Sequence, residues 1–308
     1  MFAHLLRCLL SSFFLLGTLF FSAAQPPAHY YDSANGKTCA ALKSALKQII
    51  TNGHIPQPYD SLYGQYQKYD VKPRETGNGS AIVIWDIYAD IPDAKDAYNY
   101  NPVTNRCGNY NSEGDCYNRE HTVPQSWFGH EEIPALDYNQ VFPTDGFVNN
   151  RRSNYLYGEV FAPIWTSTNG SRLGESAIAG ISGTVFEPID TYKGDVARAF
   201  FYFVTRYQDN IKNWSNNTSA FSNDTFPSIN VSYLQMMIRW NNEDPVSEKE
   251  INRNNGTYSY QHNRNPFIDH PEYVNAVWNS GCVGLGTLPA NLIYFTGRLS
   301  NNTVILNW

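Results

Sequence analysis

Two neighbouring stretches, Cys116–Gly129 (CYNREHTVPQSWFG) and Asp137–Val160 (DYNQVFPTDGFVNNRRSNYLYGEV), carry most of the chemistry-bearing residues of the chain. Glu120 and His121 are adjacent, and Asn149 follows 28 positions after His121. A histidine titrating near neutrality suits a general base. A carboxylate and an amide carbonyl are oxygen donors of the kind a hard divalent cation takes. Base and cation together are what attack of water on phosphorus needs, since charge builds on the phosphoryl and leaving oxygens. A Glu-His pair alone carries little weight, because a single histidine is more often a hydrogen-bonded structural residue. Nor is this the helical zinc pattern. That pattern needs a second histidine where Gln125 stands, and Pro124 disfavours a helix. Neighbours on a regular strand point to opposite faces. For Glu120 and His121 to serve one site, the backbone must bend there or a water must lie between them.

Outward from this region the chain alternates helical and strand-like patterns, which predicts a mixed α+β domain. Cys39–Thr51 places Leu42, Leu46, Ile49 and Ile50 on one face and ends at Asn52-Gly53, as an amphipathic helix would. Ala81–Tyr88 is rich in β-branched and aromatic residues and reads as a buried strand. Residues 93–118 read as loop. Asp195–Arg206 reads as a buried helix with Asp195 as its N-cap. Residues 210–230, dense in Asn and Ser, read as a surface excursion, followed by a helix over Ser232–Trp240. A short helix is expected after Asp244-Pro245, where Ser247 and Glu250 have capping-box spacing.

Asn118-Arg119-Glu120-His121 with Pro124, Ser126 and Trp127, then Pro143-Thr144-Asp145-Gly146, Val148-Asn149 and Arg152-Ser153-Asn154, resembles the bacterial endonuclease I family. The resemblance continues through Lys193–Ala199, Glu243–Ser247 and Asn263–Pro271, and so spans roughly residues 39–280. It implies a secreted or periplasmic nuclease containing a ββα-metal (His-Me) finger. By position it implies His121 as general base, and Glu120 and Asn149 as ligands of one divalent cation, normally Mg²⁺. Asn149 should then sit on a short helix closing the finger. Such enzymes cut DNA, and often RNA, with little sequence preference and leave 5′-phosphate ends. A site that grips only phosphate and metal reads no base edges. Arg119, Arg151 and Arg152 are candidates for gripping phosphate, with Arg152 preferred because it lies in the family-like stretch. An ion pair is the alternative for each. The chain departs from the family at Asn139-Gln140, where members carry His followed by His or Asn. Both amides still hydrogen-bond, so a structural substitution is expected. His270 is expected to be structural, and Trp85 and Asp86 to be core and strand-end residues.

Composition sets the outer bounds. Charged residues are 16% of the chain, aromatics 15%, and Tyr alone counts 22, which excludes a disordered protein. The formal charge of −6 argues mildly against a nucleic-acid partner, although a local basic cleft or a bound cation suffices. The rivals from other classes are a cell-surface polysaccharide-binding module and a glycoside hydrolase using Asp86 and Asp90. Met1–Ala24, with Arg7, an apolar run and Ser22-Ala23-Ala24, reads as a signal peptide. No later segment is long and apolar enough to span a bilayer, so a secreted, cell-surface or periplasmic monomer is expected. Cys39, Cys107, Cys116 and Cys282 remain after the leader, and the expected pairs are Cys107–Cys116 and Cys39–Cys282. The expected organisation is a leader over 1–24, a nuclease domain over 25–285 and a β-hairpin over 286–308. That hairpin, from strands Asn291–Phe295 and Thr303–Trp308, resembles the start of a β-sandwich sorting module.

Overall fold

The computed structural model describes residues 26–74, 81–92, 94–214, 219–284 and two final strands, 296–300 and 303–307. The leader expected over Met1–Ala24 lies outside them, as does the strand expected over Asn291–Phe295. Cys39–Thr51 (α1) forms with the expected bounds and buries Leu42, Leu46 and Ile50. Leu62–Tyr69 (α2) leads into a short antiparallel pair, Val71–Pro73 (β1) and Ile82–Ile84 (β2). The strand expected to reach Tyr88 therefore stops at Ile84. Asp86 turns the chain there. Its carbonyl accepts from the N–H groups of Ala89 and Asp90, and its carboxylate accepts from Tyr88 N–H at 2.7 Å. The apolar character of this segment reflects a buried turn, not strand pairing.

Tyr117–His121 (β3) pairs antiparallel with Val141–Asp145 (β4) across a loop containing Glu132–Leu136 (α3). Gly146–Arg152 (α4) follows β4 directly. Leu156–Tyr157 (β5), Val160–Thr166 (β6), Arg172–Ser176 (β7) and Thr184–Glu187 (β8) make a four-stranded sheet in the order β5-β8-β7-β6. Only β5 and β8 run parallel. The helical half comprises Lys193–Arg206 (α5), Val231–Glu243 (α6), Glu248–Gln261 (α7), Pro266–Asp269 (α8), Glu272–Trp278 (α9) and Ser280–Val283 (α10). Thr296–Ser300 (β9) and Thr303–Asn307 (β10) form an antiparallel hairpin. Among the described residues no helix is long and apolar enough to cross a membrane.

The core centres on α5, where every residue from Gly194 to Thr205 is buried. Its N-cap is Tyr192, not Asp195, whose carboxylate instead meets the Lys249 ammonium at 3.0 Å. The segment 210–230 is not simply a surface excursion. Trp214 and Phe221 are buried and pack on Phe203 of α5, aromatic contacts hidden among the Asn and Ser residues. The capping box of Ser247 and Glu250 forms, but it opens a 14-residue helix where a short one was expected. Polar residues line its inner face because Arg253, Asn254 and Thr257 find partners there. Both expected disulfides are present, with Cα–Cα distances of 5.3 Å for Cys39–Cys282 and 4.9 Å for Cys107–Cys116.

Lys43 of α1 is fully buried, and its ammonium donates to the Thr225 carbonyl at 2.8 Å and to Ser228 Oγ. Burial pushes its pKa down to about 7, against the pull of Asp224 and Asp209. Unfolded, it keeps its proton to about pH 10. Between these values the unfolded chain binds more protons, so the contribution of Lys43 to stability rises with pH. Relative to Lys43→Met, the wild-type protein should gain about 1–2 kcal/mol between pH 7 and 9. Paired denaturant titrations check this, and a difference that does not move with pH refutes it.

Candidate active site

The site is built by β3, β4 and α4. Asp145, the last residue of β4, caps α4 by accepting from Val148 N–H at 2.8 Å, so the helix starts where the strand ends. Gly146 is required at that junction, since a Cβ there would lie 2.5 Å from Cys107 Sγ. The Cys107–Cys116 bridge thus packs directly against the start of α4. From the other side Arg253 of α7 reaches β4, donating to the carbonyls of Tyr138 and Val141 and pairing with Asp70. Strand pairing holds through His121, and the chain bends immediately afterwards, at Thr122 and Val123.

A cavity of about 400 Å³ opens over this unit, and Glu120, His121 and Asn149 all line it. Glu120 is buried, and one of its oxygens is tied down: Oε1 accepts from Tyr88 at 3.1 Å and Tyr157 at 3.0 Å, and lies 2.9 Å from Arg152 Nη1. Burial pushes this carboxyl up, while Arg152 and the two phenols pull it down. Three donors on one oxygen favour the carboxylate form. Oε2 accepts from no described residue. Asn149 is held similarly, with Nδ2 donating to the Arg119 carbonyl at 3.3 Å and Oδ1 left without a donor. Among the described residues, neither Glu120 Oε2 nor Asn149 Oδ1 accepts a hydrogen bond, and both residues line the cavity. That donor set fits a hard divalent cation.

The His121 ring lies 3.0 Å, through Nε2, from the Ala135 carbonyl. A carbonyl can only accept, so Nε2 carries the proton and Nδ1 holds the lone pair. Nδ1 faces Gln125 Nε2 at 3.4 Å. Burial pushes the imidazole down to about 4, with the Ala135 bond opposing, so the ring is neutral at pH 7. Tyr59 stacks on the His121 ring with centroids 6.0 Å apart, and the Arg119 guanidinium lies 3.7 Å from the Tyr59 ring centroid.

The three arginines separate. Arg119 lines the cavity, and its side chain also pairs with exposed Asp60 at 3.0 Å. Arg151 is exposed on α4, beside the rings of Phe147 and Trp165, and does not line the cavity. Arg152, the preferred phosphate grip, also lines the cavity, but most of its guanidinium is engaged within the protein. It is 1% exposed, donates to the carbonyls of His121 and Thr122 at 2.8 Å each, and meets Glu120. These bonds tie α4 to the end of β3. Residues that sequence reasoning missed are Tyr59, Tyr88, Tyr157 and Gln125. Gln125 and Tyr157 lie inside the quoted stretches, whereas Tyr59 and Tyr88 lie outside them.

The Endonuclease I family model matches residues 38–272. An extracellular ribonuclease of Bacillus amyloliquefaciens is 34% identical over 254 residues, covering 81% of this chain and 78% of the relative. An extracellular ribonuclease of Bacillus subtilis (strain 168) is 32% identical over 255 residues, with the same coverages. The chain belongs to the endonuclease I family. Asn139 and Gln140, where a departure from the endonuclease I pattern was expected, are buried and bonded. Asn139 Nδ2 donates to Asn263 Oδ1 at 3.3 Å, and Gln140 Nε2 donates to the Pro134 carbonyl at 2.6 Å. Gln140 thereby holds the loop that carries Ala135, the partner of His121. His270 bonds Glu272 at 3.0 Å and stacks on Tyr273, so it is tied into local structure. Asp86 and Asp90, the alternative glycosidase pair, are both buried, and Asp90 is engaged by Lys72 and Tyr192.

Proposed function

We propose that this endonuclease I family member is an exported, metal-dependent enzyme that hydrolyses RNA and DNA with little sequence preference, leaving 5′-phosphate ends. The carrying observation is that the lone pair of His121 and two undonated oxygens, Glu120 Oε2 and Asn149 Oδ1, border one cavity. Glu120 and Asn149 would hold one divalent cation, Mg²⁺ by preference for oxygen donors. When bound, it supplies positive charge for the phosphoryl and departing oxygens. His121 Nδ1 takes a proton from the attacking water. The water oxygen bonds to phosphorus as the P–O3′ bond breaks, and the freed 3′ oxygen takes a proton from solvent. Arg119, on the cavity wall, meets a phosphate oxygen, its guanidinium plane steadied on Tyr59. The strand–strand–helix order of β3, β4 and α4 supports the ββα-metal finger. No group in this set reads a base edge, which favours action on both nucleic acids. The relatives are named ribonucleases and extracellular, which supports RNA as a substrate and export as the destination. The two disulfides agree with an oxidising compartment.

The test is plasmid DNA and an unstructured RNA incubated in parallel with Mg²⁺, with and without chelator. Cleavage of neither overturns the proposal, and cleavage indifferent to chelator overturns its metal. Calorimetric titration with Mn²⁺ reads the ligands directly. Tyr157→Phe should weaken binding about tenfold by releasing Glu120, and Glu120→Gln should weaken it further. Equal Mn²⁺ affinity in Glu120→Gln would place the cation elsewhere.

A further inference from the structure

Four residues after His121 the chain enters a short 3₁₀ turn, Gln125–Phe128. Trp127 and Phe128 anchor this turn in the main core. Trp127 packs edge-on against Phe221, and Phe128 packs against Phe203 of α5 and Trp214. The Gln125 carbonyl accepts from His130 N–H at 2.9 Å, and Gly129 ends the turn at φ 66°, a conformation that glycine adopts without steric cost. With the backbone fixed in this way, the Gln125 side chain is half-buried on the cavity wall. Its Nε2 lies 3.4 Å from His121 Nδ1, the nitrogen that carries the lone pair. The Tyr59 hydroxyl also interacts with this amide, so the ring that stacks on His121 steadies Gln125 as well. A separation of 3.4 Å is long for a direct hydrogen bond and yields readily to a water. It is also short enough for one water to bond both nitrogens.

We propose that Gln125 is a positioning residue for the nucleophile, its amide donating to the same water that donates to His121 Nδ1. A base alone fixes one proton of the water and leaves the molecule free to turn about that bond. The amide removes this freedom. With one proton on Nδ1 and one lone pair on the amide, the second lone pair is the one left to bond phosphorus. As that bond forms, the proton passes to Nδ1 and the P–O3′ bond breaks, while the amide neither gains nor loses a proton. The gain is orientational, the kind that a fixed near-attack geometry supplies. Gln125 suits the task because an amide donates without carrying charge and cannot compete with His121 for the proton. Resting on the proposed nuclease activity, the inference adds to it a residue that binds neither cation nor phosphate. A purely structural amide, one that only satisfies a buried ring nitrogen, would affect stability but not the rate of the bond-breaking step.

The experiment uses the full chain with Mg²⁺, in excess over a fluorescein-labelled single-stranded oligodeoxynucleotide, so that a single turnover is followed. Gln125→Met keeps the length of the side chain and deletes its donors. The cleavage step should slow by about 10- to 100-fold, while half-saturation and calorimetric Mn²⁺ affinity stay within about twofold of wild type. In a His121→Ala background the same substitution should cost less than about threefold, because no base remains to hold the water against the amide. Thermal melts verify folding, and Gln125→Ala repeats the readings should methionine disturb the turn. An unchanged cleavage step in folded Gln125→Met overturns the proposal. Faster cleavage overturns it too, making the amide a cap on the base. A full multiplicative loss in the His121→Ala background, or a matching loss of Mn²⁺ affinity, overturns it by placing the effect elsewhere than on the water at His121. Failure of the wild-type protein to cleave any nucleic acid with Mg²⁺ would instead overturn the nuclease proposal, so the two failures are distinguishable.

Discussion

His121→Ala is expected to slow phosphodiester cleavage by about 10³-fold on RNA and DNA alike, within the usual range for loss of a general base. The ring is neutral, its Nε2 proton is fixed on Ala135, and its Nδ1 borders the cavity. Alanine removes that lone pair, and the neighbouring Gln125, an amide, cannot replace it as a base. Folding should survive. The substitution removes one hydrogen bond to a carbonyl and one ring contact, about 1 kcal/mol for the bond, or a melting shift of roughly 2–4 °C. Initial rates with Mg²⁺ alongside a thermal melt test both halves. A rate within tenfold of wild type, with the protein folded, would remove His121 from the chemistry.

What sequence made legible follows from how local each feature is. β3, β4 and α4 lie within one contiguous stretch, and Asn149, the proposed ligand, lands on the short helix because Asp145 caps it. The capping box of α7 and the amphipathic face of α1 are likewise set by residues three or four apart. The phenols that fix Glu120 are not local. Tyr88 and Tyr157 lie 32 and 37 positions away, two among 22 tyrosines with no spacing to mark them. The length of α7 was hidden because its inner face is polar, and a hydrophobic periodicity cannot report an arginine buried on carbonyls. A bend at Glu120-His121 was expected, but the strand pairs regularly through both residues and the chain bends only at Thr122 and Val123.

Arg152 gives the sharpest contrast between motif and fold. Arg152→Met should cost about 3–5 kcal/mol, because it strands the Glu120 carboxylate in a site only 1% exposed. It also orphans the carbonyls of His121 and Thr122, each of which accepts at 2.8 Å. For a domain of this size the loss corresponds to a melting drop of roughly 10 °C. Arg119→Met differs in kind. Its ionic partner Asp60 is exposed, so stability should move by less than about 1 kcal/mol while KM rises. The double variant Arg152→Met with Glu120→Gln separates a buried charge from lost packing. Removing the stranded carboxylate should recover part of the stability without restoring activity, a coupling read by comparing all four proteins. If Arg152→Met instead melts like wild type and raises only KM, its guanidinium faces the substrate phosphate, as the motif alone suggested. The two carbonyls and the carboxylate gathered around it argue for the opposite outcome, although Arg152 lines the cavity and its Nε is not engaged by any described residue.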